Sequence, residues 1–259
     1  KMNFKGFQLN HRDDGLQLEV LMPEELRDCF TARLYARGPL NDCCDGDPEK
    51  LWKRLAPQYG DRELIAPKQV HKTHILNAAE AKKLPEREEA DGIFLTAGEP
   101  AMASLRFADC APVVICGAGE IPWLMLLHSG FKGTLTNIAA EAITYAISKI
   151  PAQQLNNIYA WIGPAIGFEC YSRSAEDPTT LQAKESFAPE NQRAEKDYIF
   201  FNIKGQIMKQ LLEKGLIYDK IFLYDCCTFC RRDLFYSYRA GDGGSRLFLA
   251  AGAKNNLKL

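Results

Sequence analysis

The sequence predicts an α+β protein whose strands and helices are segregated into layers. Short β-forming runs adjoin one another between residues 101 and 128 and again between 220 and 250, with long helical patterns between them. This order favours separate α and β layers over a regular alternation of strand and helix. The charged stretches at 84–92 and 188–197 are too short to serve as interdomain linkers, so residues 1–259 are interpreted as one domain.

The predicted strands are short runs of β-branched, aromatic and aliphatic residues. Several of them are apolar at consecutive positions, which indicates burial on both faces of a sheet. These runs are AMASLRF (101–107), PVVIC (112–116), WLMLL (123–127), IYAWIG (158–163), KIFLYD (220–225), LFYSYR (234–239) and RLFLAA (246–251).

Three helices are predicted from capping residues and from apolar residues spaced three or four apart. The first has Asp47 as its N-cap and Pro48 at its first helical position. The second is expected to begin near Thr134 and to stop at Pro151, and the third ends at Gly215. Their sequences are DPEKLWKRLAPQYG (47–60), TLTNIAAEAITYAISKIP (134–151) and NIKGQIMKQLLEKG (202–215).

The composition argues against a nucleic-acid-binding protein and against a membrane protein. The 32 basic and 33 acidic residues give a net charge of -1, and the basic residues form no stripe, so nucleic-acid binding has no electrostatic support. No run of about 18 uninterrupted apolar residues exists, which argues against a membrane-spanning helix. The first residues lack the apolar core of a signal peptide. Nine cysteines without an export signal favour a reducing, cytoplasmic location.

Two histidines and one cysteine lie where predicted strands meet turns. His128 follows the run WLMLL, Cys110 follows the strand end RFAD, and His71 follows the turn-forming segment APKQV. A catalytic zinc site takes three protein ligands and leaves one position open, and one thiolate with two imidazoles suits the borderline softness of this metal. The three residues form no short-spaced motif, so hydrogen-bonded structural histidines remain an alternative at this point.

The segment after His128 has the features of an anion pocket. Gly130, Lys132 and Gly133 lead toward the predicted helix start at Thr134. A glycine-permitted turn that feeds a helix N-terminus exposes backbone N–H groups and the positive end of the helix dipole. Lys132 would add a full positive charge. An ordinary strand-to-helix turn is the alternative interpretation.

Six segments occur in an order that matches one protein family. They are QVH (69–71), ADG (90–92), ADCAPVVI (108–115), HSGFKGTL (128–135), IGPAIGFECYSR (162–173) and CTFCRRDLFYSYRAGDGGSR (227–246). Together they resemble the laccase-domain (YfiH-like) family, formerly called multicopper polyphenol oxidases and now viewed as zinc-dependent purine nucleoside enzymes. The resemblance implies an αββα arrangement of mixed sheets. It also implies that His71, Cys110 and His128 are the zinc ligands and the catalytic residues.

The resemblance further implies phosphorolysis of adenosine, inosine, guanosine and S-methyl-5'-thioadenosine, together with deamination of adenosine. Purine nucleosides and phosphate are then the small-molecule partners. The candidates for binding substrate or phosphate are Arg33, Gln69, Lys132 and Thr134. The chain has HSGFKG where the family usually has HAGWRG, and lysine lacks the planar, bidentate grip of arginine.

Three other functions stay open from the sequence. A cysteine hydrolase would use Cys110 as its nucleophile and a histidine as its base. A multicopper oxidase would need more imidazoles than four histidines supply, although a single copper site with Met125 nearby stays open. A non-catalytic partner protein would keep zinc only for its stability.

The segment DCCTFC contains Cys226, Cys227 and Cys230, of which the last two form a CxxC pair. A structural zinc site needs a second pair of ligands, and none follows at a suitable spacing. These three cysteines are therefore predicted to be buried structural thiols. No role is assigned to Cys170.

Overall fold

The structure, a computed structural model, describes residues 5–254. The strands in this range are β1 (Phe7–Arg12), β2 (Gly15–Val20), β3 (Phe30–Tyr35), β4 (Leu64–Ile65), β5 (Ile75–Asn77), β6 (Gly92–Thr96), β7 (Met102–Phe107), β8 (Ala111–Gly117), β9 (Trp123–Ser129), β10 (Ile158–Ile162), β11 (Ser172–Ser174), β12 (Gln192–Glu195), β13 (Tyr198–Phe201), β14 (Ile221–Leu223) and β15 (Leu247–Ala253).

The α-helices in the same range are short to medium in length. They are α1 (Pro39–Asp42), α2 (Pro48–Leu55), α3 (Phe131–Leu135), α4 (Ile138–Lys149), α5 (Pro178–Ser186) and α6 (Ile203–Glu213). Single 3₁₀ turns lie at Glu24–Leu26, Ala56–Tyr59, Leu155–Asn157, Pro189–Asn191 and Tyr218–Lys220. Among the described residues, none of the helices combines the length and the apolar character needed to span a bilayer.

Two six-stranded mixed sheets form the centre of the fold. The first has the strand order β1-β2-β3-β15-β7-β4, and the second has the order β14-β10-β8-β9-β6-β5. Most neighbouring strands are antiparallel, whereas β4 with β7, β5 with β6 and β10 with β14 are parallel pairs. A third, antiparallel sheet has the order β11-β13-β12.

The two large sheets pack face to face, and helices cover their outer faces. One hydrophobic core lies between the sheets and includes Leu34, Leu126 and Trp161. A second core packs α4 and α6 against the second sheet through residues such as Ile143 and Ile207. A third core packs α2 against the first sheet. The fold is therefore a mixed α+β single domain with αββα layers, as predicted, since each sheet buries both of its faces.

Six of the predicted strands are confirmed, as β7, β8, β9, β10, β14 and β15. The prediction of a strand at 234–239 is wrong, because the N–H groups of Leu234 and Phe235 donate to the carbonyl of Arg231 in turns. Both edges of β15 are already paired, with β3 and with β7. The ring of Phe235 therefore fills the core without its backbone joining a sheet.

The helix predicted at 134–151 is divided into two. α3 begins at Phe131, before the expected start, and α4 begins after Asn137. Asn137 has a left-handed backbone with a φ of 61°, and its side chain accepts from the N–H of Ala140 at 3.1 Å. Asparagine tolerates this conformation better than most residues, so it separates the helices and caps the second. The other two predicted helices are confirmed, with Asp47 as the N-cap of α2.

Candidate metal centre in a cationic cleft

The hairpin of β8 and β9 brings Cys110 and His128 to the same end of the second sheet. Its antiparallel register pairs Ala111 with Ser129. Continuing this register by one residue places Cys110 opposite Gly130. A Cβ on Gly130 would lie 2.5 Å from the Cys110 sulfur, so glycine is the residue that leaves room for the thiol.

His71 reaches the same place from the loop between β4 and β5. Its φ of 59° is a left-handed conformation that is uncommon for residues with a Cβ. The buried carboxylate of Asp91 holds this loop, and its Oδ1 accepts from the N–H of His71 at 3.0 Å. Its Oδ2 accepts from the N–H groups of Val70 and Lys72, at 3.1 and 2.8 Å. These bonds maintain the strained conformation.

Asp91 also orients the second imidazole. Its Oδ1 lies 2.7 Å from Nδ1 of His128, and both side chains are almost entirely buried. The contact fixes the ring and leaves the lone pair of Nε2 available to a metal ion. A carboxylate commonly supports a metal-binding histidine in this way. Burial raises the pKa of Asp91, but the contacts with His128 and with the N–H of Lys72 outweigh it and keep that pKa below its ordinary value.

The three predicted ligands converge on one point. The donor atoms of His71, Cys110 and His128 lie within 4.8 Å of one another. Burial raises the pKa of the Cys110 thiol, but the neighbouring imidazoles oppose this effect and lower it to about 6. Burial lowers the pKa of His128, but the Cys110 thiolate and Asp91 raise it to about 9. One thiolate and two imidazoles at this separation can hold a metal ion.

The three donors lie in a cleft of about 720 Å³. The cationic side chains that line it are Arg106, Lys132, Arg173, Arg239 and Arg246. Asp109 is the one carboxylate among the described lining residues, and it accepts from the hydroxyl of Thr228 at 2.7 Å and from the backbone N–H of Arg239 at 2.8 Å. A concave site with an excess of positive charge attracts anionic ligands.

Most of this positive charge is not balanced by carboxylates. Arg173 pairs with Asp177 at 3.2 Å. Lys132, Arg239 and Arg246, in contrast, form no ion pair within residues 5–254. Aromatic rings line the same cleft, namely Phe131, Tyr171 and the exposed Tyr238. The cleft therefore offers both charge for an anion and flat surfaces for an aromatic ligand.

Two of the predicted binding residues, Gln69 and Lys132, line the cleft. Lys132 is exposed and is the second residue of α3. The Gln69 amide is occupied, because it donates to the carbonyl of Arg106 at 2.7 Å and accepts from the N–H of the same residue at 2.9 Å. Gln69 therefore braces the wall of the cleft.

The other two predicted binding residues, Thr134 and Arg33, do not line the cleft. Thr134 is fully buried, with its hydroxyl 2.9 Å from that of Ser129, because α3 begins at Phe131 and carries Thr134 into the core. Arg33 lies on the outer face of β3, where it pairs with Glu19 at 3.4 Å. These positions do not fit the predicted role in phosphate binding, and they correct it.

Several residues of the site were not predicted, among them Asp91, Arg106, Arg173 and Arg246. Asp91 lies in the segment ADG, where an aspartate directly before a buried strand was the available signal. Arg106, Arg173 and Arg246 come from three separate parts of the chain, and their convergence leaves no local pattern.

The fold and the His–Cys–His centre together define the class of protein. Residues 49–249 match the profile of the family described as multi-copper polyphenol oxidoreductase laccase, which is well over half of the chain. The chain belongs to this family, and the resemblance of its six sequence segments is confirmed.

The chain is similar in sequence to proteins named purine nucleoside phosphorylases. The chain is 28% identical over 218 residues to the purine nucleoside phosphorylase slr1573 of Synechocystis sp., a match that covers 74% of this chain and 79% of the relative. It is 30% identical over 165 residues to the purine nucleoside phosphorylase YlmD of Geobacillus stearothermophilus, covering 62% of this chain and 58% of the relative.

Solved structures share the fold. The crystal structure of YlmD from Geobacillus stearothermophilus matches with a TM-score of 0.77 at 24% identity, over 96% of this chain and 99% of that one. The crystal structure of the Bacillus licheniformis hypothetical protein YfiH matches with a TM-score of 0.78 at 22% identity, over 97% and 100%. The mixed α+β architecture is therefore that of these proteins.

Proposed function

We propose that this protein is a zinc-dependent purine nucleoside phosphorylase that acts on adenosine, inosine, guanosine and S-methyl-5'-thioadenosine and also deaminates adenosine. The observation that carries the proposal is the position of a His–Cys–His donor set within a cleft that has five cationic side chains. A phosphorylase must hold an anionic nucleophile beside the reacting carbon, and the charge of this cleft suits that task. The relatives named purine nucleoside phosphorylases support the same activity.

Zinc is the metal that the donor set fits best. Two imidazoles and one thiolate, with donor atoms within 4.8 Å of one another, correspond to the three-ligand sites that leave a fourth position open. When bound, zinc supplies Lewis acidity for polarising a substrate oxygen or for activating water in deamination. A multicopper cluster needs more imidazoles, and within residues 5–254 the donor set contains only His71 and His128.

The chain's own cations bind phosphate in this proposal. Lys132 lies two residues after Gly130, which is opposite Cys110, so its backbone lies close to the metal donors, and its side chain lines the cleft. Arg239 and Arg246 line the same cleft without a carboxylate partner among the described residues. Charge-assisted hydrogen bonds from these groups orient and desolvate the phosphate next to the ribose.

The aromatic side of the cleft binds the base. The ring of Tyr171 lies under the guanidinium of Arg239, whose central carbon is 5.2 Å from the ring centroid. Tyr238 is 68% exposed, which leaves its ring free to contact a ligand. Purines stack favourably on such rings, and a stacked base places the glycosidic bond between the aromatic and the cationic walls.

The test is adenosine turnover by purified protein of known zinc content, with and without phosphate. Adenine that forms only with phosphate is the product of phosphorolysis, and inosine is the product of deamination. His128→Ala is expected to lose both zinc and turnover, whereas His11→Ala, at an exposed position of β1, is expected to keep both. Phosphorolysis by His128→Ala at the wild-type rate would refute the assignment of the site.

One observation favours a second candidate function, a cysteine hydrolase. The pKa of Cys110 is lowered to about 6 beside two imidazoles, against the effect of burial, as in activated thiol nucleophiles. His128, oriented by Asp91, would then act as the base. Chelation separates the two functions, because a hydrolase keeps its activity without metal and the zinc enzyme loses it. A zinc-stabilised partner protein would convert no nucleoside even in its loaded form.

A further inference from the structure

A second cluster of sulfur atoms lies outside the His–Cys–His centre. The Sγ atoms of Cys170, Cys227 and Cys230 lie within 4.8 Å of one another, and those of Cys170 and Cys230 are 3.4 Å apart. The prediction of buried structural thiols is wrong for Cys230, which is exposed, and Cys226 and Cys227 are only half-buried. Cys170, to which no role was assigned from the sequence, is also half-buried. Three thiols that meet near the surface call for an explanation other than core packing.

The fold brings these cysteines together through a pair of parallel strands. β10 and β14 are parallel neighbours, so the segments that follow them leave the sheet at the same edge. A further parallel bridge joins Ala165 in the first segment to Cys227 in the second. Cys170 belongs to the first segment, and Cys230 lies sixty residues later in the second. The additional cysteine beside the CxxC pair is therefore Cys170, which precedes the pair in the chain.

We propose that Cys170, Cys227 and Cys230 form a second metal site, which binds Zn²⁺ through three thiolates and completes its coordination with water. Sulfurs bound to one zinc at about 2.3 Å in tetrahedral geometry lie about 3.8 Å apart. The separations in the cluster are compatible with this value, since one pair of sulfurs is 3.4 Å apart and all pairs lie within 4.8 Å. Small side-chain rotations are enough to place all three sulfurs at bonding distance from one ion.

The backbone around the cluster is arranged to support a thiolate. The N–H of Gly167 donates to the Cys227 sulfur at 3.1 Å. A Cβ on Gly167 would lie 3.0 Å from the Cβ of Cys227, so glycine permits this close approach. Hydrogen bonds of this kind orient metal ligands and tune them. Binding of Zn²⁺ displaces one proton from each thiol to the solvent, which leaves a site with a net charge of about −1.

The second site ties together two segments that form a wall of the nucleoside cleft. Tyr171, which lines the cleft, directly follows Cys170. Thr228 directly follows Cys227, and its hydroxyl donates to Asp109 in the turn that carries the thiol of the His–Cys–His centre. A metal ion bound between these segments restrains both the aromatic wall and this turn. The inference concerns metal binding and does not depend on the proposed turnover.

The experiment is a zinc titration of the reduced, metal-free full chain, followed by dialysis and elemental analysis. The wild type is expected to retain two zinc ions per chain and Cys230→Ser only one. Cys43→Ser replaces another exposed cysteine and is expected to retain two. Because Cys230 is exposed, Cys230→Ser removes the sulfur without disturbing the core, and it carries the test if Cys227→Ser does not fold.

Cobalt identifies the occupied site. His128→Ala leaves only the three-thiolate site, whereas Cys230→Ser leaves only the site with one thiolate. Thiolate-to-cobalt absorption per bound ion is expected to be about three times stronger in His128→Ala, because three thiolates contribute instead of one.

Two results would overturn the second site. One is equal zinc content in the wild type and in Cys230→Ser. The other is a disulfide between Cys170 and Cys230 that forms even when Zn²⁺ is present. A wild type that binds a single zinc ion and loses it in Cys230→Ser would support the second site and refute the His–Cys–His centre instead. Turnover is not the readout, so the two proposals can fail separately.

Discussion

Replacing Asp91 with asparagine tests whether one buried carboxylate organises the metal centre. Its Oδ1 contacts Nδ1 of His128 at 2.7 Å and the N–H of His71 at 3.0 Å. Its Oδ2 accepts from the N–H groups of Val70 and Lys72. Asparagine keeps one accepting oxygen and puts an NH₂ group in place of the other. With the NH₂ group at the position of Oδ2, the N–H groups of Val70 and Lys72 would face a hydrogen-bond donor and lose their acceptor.

The expected loss follows from these contacts. A hydrogen bond to a charged group contributes about 1.5–3 kcal/mol. Losing the two bonds at Oδ2 should therefore lower the free energy of unfolding by about 3–6 kcal/mol. If the amide turns the other way, its NH₂ group faces Nδ1 of His128 and forces the ring proton onto Nε2, which removes the metal-binding lone pair. Loss of such a supporting partner reduces metal affinity by about 10–100-fold.

Urea unfolding of the metal-free protein measures the loss of stability, and competition with a chelator measures the metal affinity. Asp219→Asn, at an exposed position, is the matched control and should change neither quantity. Wild-type values for both quantities in Asp91→Asn would refute the reasoning that Asp91 positions the two imidazoles.

Three further changes test other parts of the site. Gly130→Ala should weaken metal binding about tenfold or more, because the added Cβ would lie 2.5 Å from the Cys110 sulfur; chelator competition measures this, and Gly98→Ala, whose Cβ would meet nothing within 4 Å, is the control. In metal-free protein, alkylation of Cys110 should accelerate as the pH rises through about 6, since the thiolate predominates above its pKa, and zinc should suppress the reaction; equal rates with and without zinc would count against the metal site. Lys132→Met should raise the KM for phosphate more than it lowers kcat, because in the proposed function its charge would bind phosphate in the ground state and the transition state alike; an unchanged KM would contradict the proposed contact.

The pairing of Cys110 with His128 could be predicted from local patterns. Both flank apolar runs, and two successive runs joined by a short connection form an antiparallel hairpin whose register brings their ends together. His71 could not be placed in this way, because its loop is positioned by Asp91, twenty residues further along the chain. Side-chain bonds across loops have no periodic signal, so the turn before His71 made it a candidate and the family resemblance was needed to place it with the other two ligands.

Register and strand pairing explain the remaining errors. Arg33 was a candidate for binding phosphate, but the pleat of β3 turns it to the outer face of the sheet. The prediction for Thr134 depended on where the helix begins. α3 begins three residues earlier than predicted, which places the Thr134 side chain in the core and not in the expected pocket. Cys170 was overlooked because its nearness to Cys230 depends on the parallel pairing of β10 with β14, which no short window of sequence reveals.

Because Asp91 contacts both the loop before β5 and the ring of His128, the exchange of backbone amides can indicate whether the candidate metal centre is occupied. One carboxylate anchors the amides of residues 70, 71 and 72 as well as the ring of His128, so displacement of the ring also frees those amides. Hydrogen–deuterium exchange at these three positions should therefore quicken when the ion is withdrawn and slow when it returns. Occupancy of the centre can thus be followed without any substrate.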